Sequence, residues 1–204
     1  MADLSVAAGA VGLQSGAPSG SNYPFAQGSH GAMVSQPLGK YYDAVVAGRV
    51  FYASNTAAQA ISVALSTTYT GICLANPASS GKNISLLRVG AALSVAPAAI
   101  AGFYLIGNYS ETAVTHTTPL TPASALIGGG FSPVGKVDRE ATIPTPLYLQ
   151  SLFSGFTAGA LPGGTVAIAD IDGGIVLKPG AFVALGSLTA ATGIFSFLWA
   201  EETV

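Results

Sequence analysis

The fold is decided by residues 173–202, GGIVLKPGAFVALGSLTAATGIFSFLWAEE. Three runs of β-forming residues alternate here with turn signals. Residues 175–178 are followed by the pair Pro179-Gly180, 182–185 by the small-residue connection 188–193, and 194–200 by Glu201 and Glu202. Branched and aromatic side chains at this density suit a pleated, half-buried surface. The pattern predicts the closing strands of a β-sandwich. Phe195, Phe197 and Trp199 are expected in packing, within the core or between subunits.

The rest of the chain repeats the pattern. Ile61, Val63 and Leu65 alternate with Ser62, Ala64 and Ser66, a period of two that predicts a half-buried strand. Residues 70–74, 102–108 and 163–169 read as further strands. Residues 83–89 read as another, with Ile84, Leu86 and Arg88 on one face and Ser85, Leu87 and Val89 on the other. Residues 41–53 are the first strand-like material, and 147–156 suit a strand or a short helix. The most helix-like piece is 93–100, although Pro97 sits in its middle. About eight to ten short strands with frequent turns predict an all-β, jelly-roll-like antiparallel sandwich spanning 41–204.

Two regions depart from the pattern. Residues 1–40 are built from Ala, Gly, Ser, Pro and Gln, and their apolar residues follow no stable period. Such a segment cannot bury enough surface to fold alone. It is expected to be a long extended arm that becomes ordered against a neighbouring subunit, with Leu4, Val6, Leu13, Tyr23, Phe25 and Met33 as contacts. Residues 110–147 are rich in Pro and Gly and are expected to form an irregular excursion, with a short strand near 125–127. They hold the local charge cluster Lys136, Asp138, Arg139 and Glu140, with Arg139 expected at an interface. Long irregular segments in compact domains are often functional or interfacial.

Composition narrows the function. Of 204 residues, 50% are hydrophobic and 8% charged, against about 25% charged in an average domain. A surface so poor in charge suits a part of an assembly. With net charge −2 and scattered Lys and Arg, the basic footprint of a nucleic-acid binder is missing. The charge-free stretches 89–110 and 179–200 are as long as a bilayer span but are broken by Gly and Pro into strand lengths, so no membrane partner is expected. The N-terminus has Asp3 and no basic region, unlike a secretory signal.

No pattern announces catalysis, a cofactor or a metal. Cys73 is the lone cysteine and sits in an apolar run, where a small buried hydrophobe is expected. His30 and His116 are far apart in sequence, and only Glu111 lies near either. Gly128-Gly129-Gly130 lacks the Lys-Ser/Thr pair of a phosphate loop and reads as a turn. Asp170 and Asp172 could contribute to a calcium site, but the following Gly173 makes a tight turn between strands the plainer reading. Glu201 and Glu202 are expected to be solvated.

Three stretches resemble structural proteins of tailed bacteriophages. They are KYYDAVVAGRVFYA (40–53), LANPASSGKNISLLRV (74–89), with its NP-x-x-SGK-N turn, and the ending IVLKPGAFVALGS…FSFLWAEE. The resemblance covers residues 40–90 and 173–202. It implies a jelly-roll capsid cement or decoration protein at the virion's capsid surface, assembled in the host bacterial cytoplasm. It further implies the major capsid protein as partner, homotrimeric self-association, and terminal arms reaching adjacent subunits. The alternative is a head-fibre or tail protein binding a host-surface glycan. A cupin-like enzyme would need clustered metal ligands that this sequence does not display.

Overall fold

The computed structural model describes residues 39–109, 114–156 and 166–204. The elements are α1 (Tyr42–Val46), β1 (Val50–Ser54), β2 (Gln59–Ile61), β3 (Thr68–Ala75), β4 (Lys82–Val95), β5 (Ala101–Tyr109), β6 (Thr115–His116), β7 (Pro119–Leu120), β8 (Ala123–Ser124), β9 (Lys136–Thr142), β10 (Leu147–Phe156), β11 (Val166–Leu177), β12 (Ala181–Ser187) and β13 (Ala191–Thr203). They form two packed antiparallel sheets, so the chain is an all-β sandwich.

The pairing reveals the topology. β1 pairs with β13, β3 with β12, β4 with β11 and β5 with β10. This is one long hairpin, its tip between β5 and β10, rolled across two sheets. The sheet orders β11-β4-β13-β1 and β10-β5-β12-β3 are those of a jelly roll.

The hairpin tip holds the segment expected to be an irregular excursion. It crosses to the other side of the sandwich. There β8 extends the first sheet beside β1, while β6, β7 and β9 extend the second beside β3. Its charged run, 136–142, is the full strand β9. Charges obscured this strand because only Val137, Asp138 and Ala141 of its seven residues are buried.

The main core lies between the sheets. Phe51, Leu86, Phe103, Leu105, Leu185, Phe195, Phe197 and Trp199 are at most 2% exposed there. Two smaller clusters lie elsewhere. Tyr69, Cys73, Tyr104, Ile106 and Phe182 gather with Val114 and Ile143. Val50, Leu87 and Ala200 are covered by Tyr41, Ala44, Val45 and Ala125. This cover explains why residues 42–46, expected as strand material, form a helical turn. A helix this short has little stability of its own and depends on the apolar face it buries.

Other expectations change for local reasons. β4 runs unbroken through Val95, so the helix-like residues 93–95 are strand. They are Leu93, Ser94 and Val95, and their ladder with β13, Gly193 opposite Leu93 and Thr192 opposite Val95, holds them extended. Within β4, Leu198 pairs with Arg88 but Trp199 with Leu86, so Leu87 is an extra residue. This bulge shifts the phase. Ile84 and Leu86 are buried before it, Val89 and Ala91 after it, and Arg88 is exposed. The expected strand at 61–65 ends at Ile61, and Val63 and Leu65 are 47% and 40% exposed. Residue 62 turns to β3 instead, where Ser62 N donates to Thr70 O at 2.8 Å.

The Asp170–Gly173 segment is no hairpin turn. β11 continues through it with a bulge against β4 between Asp170 and Ile175. Asp172 and Gly173 have φ of 54° and 81°, the left-handed conformation that glycine adopts most easily.

Candidate functional site

Glu201 ties the insertion to the last strand. Its carboxylate accepts the backbone N–H of Val134 at 2.9 and 3.0 Å, that of Gly135 at 2.9 Å and the indole N–H of Trp199 at 3.2 Å. Lys82 Nζ lies 3.2 Å away, and the glutamate side chain is fully buried. Gly135 sits in tight quarters. A Cβ there would stand 3.0 Å from Ile84 and 3.2 Å from the indole nitrogen of Trp199. The expectation of a solvated Glu201 is therefore corrected: a charge with this many donors is held, not exposed. Glu202 is also engaged, with both oxygens 2.6 Å from Arg49 Nη1.

A second cluster fixes residues 40–41. Lys40 Nζ lies 2.5 Å from Asp172, and the Tyr41 hydroxyl donates to the same carboxylate. Lys40 and then Tyr41 hold the Asp172 carboxyl below its usual range. Asp170 pairs with Arg88 at 2.6 Å. Both candidate calcium ligands thus answer to cations of the chain itself. Lys40 and Tyr41 meet the sandwich on β11.

The third arrangement is a cleft of about 370 Å³ lined by Asn76, Pro77, Val114, His116, Lys136 and Ala181, among others. Asn76 organises it. The side-chain amide donates to Lys82 O at 2.7 Å and Leu177 O at 2.9 Å. Its backbone N–H donates to Ala181 O, and its carbonyl accepts Gly180 N–H, both at 2.8 Å. One residue therefore joins the β3–β4 turn to the β11–β12 turn. Its Oδ1 is buried without a partner. Beside it, His116 Nδ1 meets the carboxylate of Asp138, which is 1% exposed. This contact fixes the ring orientation, as a carboxylate does behind many working histidines. Burial raises the Asp138 carboxyl above its usual range, and the His116 contact only partly opposes this. Asp138 Oδ1 also has no partner.

Of the residues expected at interfaces, Leu4, Val6, Leu13, Tyr23, Phe25 and Met33 lie outside the described residues. Arg139 is half-buried on β9, with a buried Nε that has no partner. Trp199 is 0% exposed in the main core, 6.3 Å from Phe51 between ring centroids, and presents no surface to a second subunit. Cys73 is buried as expected, with a thiol that burial pushes well above its ordinary range. Among the described residues, no cluster of three metal-ligating side chains forms and no helix is long and apolar enough to cross a membrane.

A surface feature escaped the reading of the sequence. β10 and β11 end their sheets on the side opposite the insertion. In β10, Leu147, Tyr148 and Leu149 are 55%, 56% and 46% exposed, and the strand LYLQSLFSGF carries no charge. Ile168 and Val176 of β11 are exposed too. Periodicity marks a strand but not whether its outer face meets another layer, so position at a sheet edge was not visible. No family model, curated protein or solved structure matches the chain.

Proposed function

We propose that the protein is a structural component of a tailed-bacteriophage virion. In this reading it is a cement or decoration protein on the capsid surface that binds the major capsid protein and bridges neighbouring subunits. It assembles in the host cytoplasm and associates with itself as a homotrimer.

The observation that best supports this reading is the side of the sandwich that ends in β10 and β11, which no other strand among the described residues covers. Free proteins blunt exposed sheet edges with charges, prolines or very short strands. The sealed side does so, ending in the two-residue strands β6 and β8. The open side ends in strands of ten and twelve residues; both carry bulges and β11 carries Asp170 and Asp172, but β10 presents apolar side chains without a charge. Such a surface suits permanent contact with another subunit. The polar clusters described above are consistent with a scaffold: Glu201, Glu202, Asp170 and Asp172 each secure one part of the chain to another. Bridging then works by many modest contacts, each buried apolar Å² contributing about 25 cal/mol before ordering costs.

The test is removal of residues 1–38, which keeps Lys40 and Tyr41 on Asp172. The truncated chain is expected to remain a folded sandwich by circular dichroism and to stop co-sedimenting with capsids of its parent phage. Normal decoration by the truncated chain would refute a bridging role for the arm. Mass photometry of the intact chain tests the homotrimer.

A further inference from the structure

The chain has seven Lys and Arg in all, and three of them, Lys82, Lys136 and Lys178, gather with His116 around the two turns that Asn76 joins. Lys82 is neutralised by Glu201, and His116 faces Asp138. Lys136 and Lys178 are exposed and have no ion-pair partner among the described residues. The other four cations include three in ion pairs, Lys40, Arg49 and Arg88. Among the described residues no acidic side chain lines the cleft, and Asp138 and Glu201, which lie near it, are buried. This is where, among the described residues, positive charge without an ion-pair partner faces solvent.

We propose that this end of the sandwich, the cleft between Asn76, His116 and Lys136 beside the β11–β12 turn that carries Lys178, docks an acidic peptide segment of a partner protein. Charge complementarity selects the acid, since unpaired surface cations steer and orient an opposite charge. Two further features select a peptide over a free anion. Much of the lining is apolar, from Ala75, Pro77, Ala78, Val114 and Ala181. Asn76 lines the cleft, is 2% exposed and has an acceptor oxygen without a donor. A buried acceptor left unmatched is unfavourable, because it has lost its water partner without gaining another. A peptide brings backbone N–H donors, apolar side-chain stems and a carboxylate in one short stretch. The inference concerns the class of partner and holds whatever particle the protein belongs to.

The experiment is an NMR titration of the full-length ¹⁵N-labelled chain. Three probes are compared at low salt: an N-acetylated hexapeptide of alternating Glu and Ala, its Gln–Ala counterpart, and inorganic phosphate. The Glu–Ala peptide is expected to shift amide signals in 76–81, 114–116 and 178–181, and added salt should reverse the shifts. Lys136→Gln and Lys178→Gln should each weaken binding by about two- to fivefold, as for exposed ion pairs. Lys40→Gln, whose lysine is already paired with Asp172 and does not line the cleft, should leave it unchanged. The proposal is overturned if no shifts arise, if the Gln–Ala peptide produces the same ones, or if the lysine variants bind equally well. Phosphate binding as tightly in the same place would also overturn it, marking a site for small anions.

Discussion

The carboxylate of Glu201 accepts the backbone N–H of Gly135 at 2.9 Å, across 66 residues of sequence. With the Val134 bonds, it ties the loop before β9 to the penultimate stretch of β13. Glu201→Ala would leave these donors and the Trp199 indole buried without an acceptor, and Lys82 without a counter-charge. The expected cost is about 1–3 kcal/mol for each buried donor left without an acceptor, since Lys82 is 34% exposed and can be solvated. Denaturant midpoints measure it. Amide exchange at Val134 and Gly135 should accelerate more than exchange in β5, because the damage is local.

Trp199→Ala removes the largest fully buried side chain, which packs near Phe51. Loss of about 3–5 kcal/mol is expected. A conservative Trp199→Phe should recover part of this, leaving the cost of the smaller volume and the missing N–H.

Cys73 is expected to resist thiol reagents. It is 0% exposed, and burial followed by the nearby Asp138 carboxylate disfavours the reactive thiolate. Labelling of the native protein should be slow and should accelerate with denaturant in step with unfolding. Rapid labelling in buffer would show that the β3 region opens on its own.

Asp138 should make stability fall as pH rises. Its carboxyl titrates above the ordinary value in the folded chain, so between the unfolded and folded pKa the native state holds more protons. Stability declines across that window and the penalty persists above it. Asp138→Asn removes the titration. Measured by urea unfolding, the stability of the variant relative to the native chain should therefore increase as pH rises from about 3.5 through the window above the usual carboxylate pKa. An unchanged difference would show that Asp138 is not desolvated.

Leu147→Lys addresses the open side. Leu147 is 55% exposed, so the substitution should alter folding stability by no more than about 0.5 kcal/mol. Self-association through β10 should fall, as read by mass photometry across protein concentration. Unaltered association would place the subunit contact elsewhere.

How legible these features were depended on how local their causes are. β12 and most of β13 could be read directly, because Phe182–Leu185 and Phe195–Trp199 show their burial in their own composition. The bulge at Leu87 could not, since it depends on which residue of β13 faces which residue of β4. β9 hid behind its charges: Asp138 is buried only because His116 arrives from 22 residues earlier. The cleft was partly visible. The Asn76-Pro77 turn and His116 were each noted, yet nothing local shows that Asn76 spans 101 residues to reach Leu177. Val63 and Leu65 mislead in the other direction, as alternation persists after the strand has ended.

The rolled hairpin has two flanks, and they are unequal. A slab with sticky flanks on both sides would string into an endless ribbon, each copy offering the next what it had just received. Here the chain spends its own hairpin tip on one flank, through β6 to β9. Side-by-side growth from flank to flank through β10 or β11 then has a built-in stop at a two-fold pair, and a homotrimer requires that flank to meet a different surface of its neighbour. Assemblies joined that way are finite and closed, a geometry that point-group oligomers share and filaments do not.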